Sequence, residues 1–225
     1  MSINDDFMKA KTTSRREAIQ QIGLFSSALC FLPMFSCNNA QSDDKNQSAS
    51  TNVNAPLPFL IPPKDELAVG PLGSNMRTLI RSAQTNKQFS CVEAVLGAKK
   101  IAGAPHKHNN LDELMYVLEG TASVLMGDEV VKVTAGSWHL RPRGIVHVIW
   151  NAENENLRLI DMYFNQNFED YLEELYYKII PEVIERKISF EDPAIAKRVA
   201  ELDKKFGLTY YPEKSQAIIE KYGLS

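Results

Sequence analysis

All four histidines of this 225-residue chain fall between Ala104 and Asn151. The window reads APHKHNNLDELMYVLEG, then a Gly-Asp turn, then AGSWHLRPRGIVHVIWN. His106 and His108 are one residue apart. Positions i and i+2 of a strand share a face, so both imidazoles look into one cavity. Glu113 follows a short polar link and shares a strand face with Met115 and Val117. Further on, His147 shares a face with Ile145 and Ile149. Three imidazoles and one carboxylate make a mixed nitrogen and oxygen donor set. Such a set suits Fe, Mn, Ni, Cu or Zn better than the oxygen-seeking Ca or Mg. His106, His108, Glu113 and His147 are therefore the expected ligands of one divalent transition metal. Met115, Val117, Ile145 and Ile149 are the expected apolar wall of its pocket. His139 alternates with Arg141, opposite Trp138 and Leu140, and reads as an outward residue or one behind the ligands.

The same residues resemble the two motifs of the cupin superfamily. The first, G-x5-H-x-H-x3,4-E-x6-G, is matched by His106, His108, Glu113 and Gly120. Lys100 stands where its opening Gly would fall, a departure that touches a turn and not a ligand. The second, G-x5-P-x-G-x2-H-x3-N, is met at every position by Gly136, Pro142, Gly144, His147 and Asn151. The resemblance covers roughly residues 76–164. It implies a small antiparallel β-barrel or jelly roll that binds one metal through three His and one Glu. A more diffuse likeness, carried by FEDYLEEL and a later KKFGL segment, is to bacterial single-barrel cupins related to quercetin dioxygenases. Because the fold hosts many chemistries, it leaves the substrate open.

The expected architecture is an all-β core, an antiparallel jelly-roll barrel with a C-terminal α-helical extension. Short strands separated by turn residues run from Met76 to Phe164, with Gly127-Asp128 as a hairpin signal. There is no internal repeat, so one barrel is expected. Ile145–Trp150 is apolar on both faces, and a strand with one wet face would alternate. The C-terminal helices or a partner subunit must cover it. After Phe164 the period changes to that of a helix, with Phe168, Leu172, Leu175, Tyr176 and Ile179 on one side. Pro181 breaks or kinks this helix. Asp192-Pro193 caps another that ends at Gly207, and Ser215–Gly223 is a last short one. These helices pack over the barrel or bridge a homodimer; the other reading is a lid over the barrel mouth. Cys91, in an apolar run, reads as a buried thiol.

The division expected is 1–37 as a signal peptide, 38–75 as tether and N-terminal arm, 76–164 as barrel and 165–225 as helical extension. Lys9, Lys11, Arg15 and Arg16 precede a mostly apolar stretch, Ile22 to Phe35, that is short for a membrane span and contains Pro33. Thr13 to Ile19 resembles a twin-arginine export signal, departing from it at Ala18; Gln20 departs as well. Ser36-Cys37 resembles a lipoprotein cleavage box, with Cys37 as the lipidated residue. Export to the periplasm or cell envelope is expected, with membrane contact only through that lipid anchor. A net charge of −3 gives no reason to expect nucleic acid as a partner. The expected partner is a small-molecule substrate or ligand.

A redox metal with an open position beside an apolar wall suits oxygen chemistry on a small enol, diol or phenolic compound. The resemblance adds a role for Glu113 as catalytic base. Fe or Mn is favoured over Ni, Cu or Zn if the protein folds before export. A non-redox isomerase or lyase, or an envelope protein that binds a sugar or phenolic, fits the same residues.

Overall fold

The computed structural model describes residues 55–225. The expected signal peptide with Arg15-Arg16, Cys37, and the tether as far as residue 54 lie outside the described residues. Among the described residues ten strands form: β1 Ser74–Ile80, β2 Phe89–Leu96, β3 His106–His108, β4 Asp112–Glu119, β5 Thr121–Met126, β6 Glu129–Thr134, β7 Trp138–Arg141, β8 His147–Trp150, β9 Leu157–Phe164 and β10 Leu208–Tyr210. They make two antiparallel five-stranded sheets that face each other as the halves of a jelly roll. One has the order β1-β2-β9-β4-β7 and the other β10-β3-β8-β5-β6. The helices are α1 Phe168–Glu174, α2 Ile180–Arg186, α3 Pro193–Phe206 and α4 Ser215–Tyr222, with a π-helical turn, Leu175–Ile179, between α1 and α2.

Alternation sets the inward faces. Along β9, Leu157, Leu159, Asp161 and Tyr163 are buried while their neighbours are half-buried. The core between the sheets holds Leu96, Met115, Val117, Ala122, Val124, Val133, Leu157 and Leu159. A second cluster joins the sheet to the helices through Met76, Val92, Leu111, Phe168, Tyr171 and Phe206. Gly120 makes the turn from β4 to β5 at φ +80, and a Cβ there would lie 2.8 Å from the Asn156 carbonyl oxygen. The turn that the Lys100 departure touches is carried by the neighbouring Lys99, at φ 57. Asn151 of the second motif is fully buried and ties its own loop to the end of β2: its Nδ2 donates to the carbonyls of Leu96, Gly97 and Glu155.

The outer face of β8 is covered from within the chain. Val148 and Trp150 pack with Ile218, Ile219, Tyr222 and Leu224, and the Trp150 and Tyr222 rings lie 4.8 Å apart. Pro181 neither breaks nor sharply ends its helix. The backbone widens into the π-helical turn, and Pro181 sits in the first turn of α2. Helix α3 starts as expected, with Asp192 accepting from the amides of Ala194 and Ile195, and ends at Gly207 with φ 67.

Two features differ from the sequence reading. The strand expected over 145–150 begins only at His147, because Gly144 at φ +80 still belongs to the turn and donates its N–H to the His108 carbonyl at 2.8 Å. The C-terminal extension is not purely helical. After Gly207 it adds β10 to the barrel, pairing Leu208 with His108 and Tyr210 with His106.

Candidate metal centre

The barrel brings His106, His108, Glu113 and His147 together. One donor atom from each lies within 4.8 Å of all the others. Strand β3 places His106 and His108, β4 begins with Asp112 and Glu113, and β8 pairs His147 directly opposite His106. His108, Glu113 and His147 are buried. Backbone carbonyls fix two of the rings: Nδ1 of His106 lies 2.9 Å from the Ala104 oxygen, and Nδ1 of His147 lies 3.0 Å from the Ile145 oxygen. Donation from Nδ1 leaves the Nε2 lone pair free for a cation.

Among the described residues, both ring nitrogens of His108 and Nε2 of His147 are buried without a hydrogen-bond partner. Glu113 Oε2 is 2.8 Å from His147 Nε2, and Oε1 is 3.3 Å from His108 Nε2. Close as they are, these approaches lack the alignment of a hydrogen bond. Leaving such atoms unpaired costs about 1–3 kcal/mol each. A cation among four converging donors satisfies them together. The site can hold a metal, and its donors suit a transition ion rather than calcium or magnesium.

The electrostatics keep His106 and Glu113 in ligand form. Burial, and then the nearby His147, push the His106 imidazole down to about 3. Burial alone would raise Glu113, but the Arg141 guanidinium and the facing imidazoles of His108 and His147 hold its carboxyl well below the usual carboxylate range. A consequence follows for metal-free protein. As pH falls through the ordinary histidine value of 6.5, the unfolded chain binds a proton at residue 106 that the folded chain refuses down to about 3. His106 should therefore lower stability by about 1.4 kcal/mol per pH unit across that window. Urea unfolding of wild type and His106→Gln at neutral and mildly acidic pH checks this. Parallel pH slopes in the two proteins would show it wrong.

Behind the ligands runs a buried charged chain that motif spacing did not single out. Arg141, 1% exposed, donates Nε to Glu113 Oε2 at 2.8 Å and Nη2 to both oxygens of Asp161, at 2.7 and 2.6 Å. The three residues are neighbours across β7, β4 and β9: Glu113 pairs with Arg141, and Met115 pairs with Asp161. Arg141 Nη1 has no partner. A signal for this chain was available, since Asp161 is the lone acid at an inward position of LRLIDMYF. His139 sits half-buried between this chain and Met115, its register partner, with Nδ1 unpartnered. It is thus on the inward face with Arg141, while Trp138 and Leu140 are 57% and 55% exposed.

The site opens on a cavity of about 160 Å³ lined by His106, Glu113, Arg141, His147, Ile149, Asp161, Tyr163 and Tyr210, with Val92, Ala94, Phe168, Leu172, Leu175 and Tyr176 among its other walls. Of the four expected wall residues, only Ile149 lines it. Met115 and Val117 are sealed in the core between the sheets, and Ile145 is 40% exposed in the turn before β8. The physical reason is competition for space: β4 lies between β9 and β7, and its inward side chains beyond Glu113 pack with those of β9 and β5. The wall is supplied instead by β2, by α1 and by the π-helical turn. The Phe168 ring stands edge-on to His108 at 5.0 Å. Cys91 is buried, and burial pushes its thiol up to about 12.

The family model described as Cupin domain matches residues 93–163, a span that holds all four donors. No curated protein matches the sequence. Among solved structures, the chain is similar to KdgF from Halomonas sp., with 19% identity over 48% of this chain and 91% of that one, at a TM-score of 0.41. It is also similar to a predicted oxalate decarboxylase from Thermotoga maritima, with 24% identity over 41% and 81%, at 0.39. A third is the polyketide cyclase RemF from Streptomyces resistomycificus, with 22% identity over 42% and 66%, at 0.38. At these identities the likeness concerns the fold and assigns no substrate.

Proposed function

We propose that this cupin is a metal-dependent oxidoreductase of the dioxygenase-like kind, acting on a small enol, diol or phenolic compound. The observation that carries the reading is the convergence of three imidazoles and one carboxylate beside a largely apolar cavity. When bound, Fe or Mn would supply both a Lewis acid and a redox centre. The chain's own residues supply the rest. Carbonyls of Ala104 and Ile145 hold two rings in the ligand tautomer. Arg141 keeps Glu113 ionised, the form that takes a proton from a substrate hydroxyl. Val92, Ala94, Leu172 and Leu175 keep bulk water from the reacting groups. The likeness to quercetin dioxygenase-related cupins supports the same reading.

The test is oxygen consumption with a panel of catechols, flavonols and enediols, using protein loaded in turn with Fe(II), Mn(II) and Zn(II). Uptake is expected with Fe or Mn and not with Zn. Turnover that is equal with Zn and consumes no oxygen would assign the site to isomerase or lyase chemistry instead. Tight binding without turnover would make it a ligand-binding protein.

We place the mature protein on the cell envelope. Support comes from the Arg15-Arg16 pair, the uncharged stretch after it and Cys37. Labelled palmitate is expected to enter the wild type and not Cys37→Ala; equal absence of label would leave plain secretion.

A further inference from the structure

We infer that the substrate is a small organic acid, whose carboxylate is received by the unpaired Nη1 of Arg141. The inference deepens the reading above, and it rests on that reading for its count of charge. Arg141 is buried, lines the cavity, and has its Nε committed to Glu113 and its Nη2 to Asp161. The two N–H groups on Nη1 have no partner among the described residues. A buried, unpaired guanidinium edge on a residue that lines a cavity calls for an anionic oxygen, the acceptor that this fork matches best.

Charge points the same way. Glu113 and Asp161 carry two negative charges, Arg141 one positive, and metal-ligating imidazoles are neutral. Without an ion these groups sum to one negative charge; a divalent ion turns the sum to one positive. A buried site strongly favours neutrality, so a monoanion completes it and a neutral molecule does not. Size adds a bound, since a cavity of about 150 Å³ admits a benzene-sized molecule. The apolar walls at Val92, Ala94, Leu172 and Leu175 suit the hydrocarbon part of such an acid. Residue 141 falls at a position that the second motif leaves open, just before Pro142, so the preference belongs to this chain rather than to the motif.

The experiment titrates the full chain, with and without bound Mn(II), with benzoate and with its uncharged counterpart benzamide, by calorimetry. Elemental analysis reports ion uptake separately. Benzoate is expected to bind the Mn(II) form at least tenfold more tightly than benzamide. Arg141→Lys should cut that preference severalfold, and Arg141→Met, where circular dichroism shows it folded, should abolish it. Equal affinity for the two probes in the fully loaded wild type would overturn the inference and leave the metal reading standing. So would an undiminished preference in Arg141→Lys, which isolates simple chelation of benzoate by the ion. If ion uptake itself fails, the metal reading falls. The inference then falls with it, because the site without the ion already sums to one negative charge and has no place for a monoanion.

Discussion

Replacing His147 by alanine is expected to strip the chain of its ion, lowering bound metal from about one per chain to a small fraction of that. Each of the four donors supplies a bond that no neighbour can replace, because the other buried groups at the site are a cation, Arg141, and a carboxylate already held by it. Changes to groups that merely orient metal ligands cost about tenfold to a hundredfold in affinity, and loss of a donor costs more. His108→Ala should behave in the same way, since both of its ring nitrogens are otherwise unpartnered. His139→Ala is the control. That ring lies on the same inward face but is not among the converging donors. Metal analysis of the purified variants reads the result, and full stoichiometry in His108→Ala or His147→Ala would rule out this ligand set.

Arg141→Met should destabilise the fold by about 3–5 kcal/mol, because it leaves two buried carboxylates, Glu113 and Asp161, without their shared cation. For a chain of this size, 1 kcal/mol moves Tm by about 2–4 °C, so a fall of roughly 6–20 °C is expected. Adding a divalent ion should recover part of this, since the ion compensates Glu113 and not Asp161. Asp161→Asn is expected to cost less, as Arg141 keeps its bond to Glu113. Thermal unfolding with and without Mn(II) makes the comparison, and a Tm within a few degrees of wild type would show that the buried chain of charges is not needed for stability.

The donors were legible in the sequence because local spacing sets them. His106 and His108 share a strand face by period alone, and Gly136 through Asn151 describe a turn and strand whose geometry is local. The wall of the cavity was not legible. Met115 and Val117 have the right parity, but parity tells which face a side chain takes, not how far along the strand the packed core ends and the cavity begins. Ile145 failed for a different reason: the turn at Gly144 extends past it, so alternation does not reach back that far. Strand β10 is three residues long and carries no pattern of its own; only pairing with β3 makes it a strand. The link between Arg141 and Asp161 spans 20 residues of sequence, and its two ends meet only across β4.

The pairing of Leu208 with His108 has a consequence for biogenesis. A ribosome delivers all four donors by residue 147, whereas α1, the π-helical turn and Tyr210, which wall the cavity, come out later. The donor cluster and the chamber beside it are thus completed at different moments of synthesis.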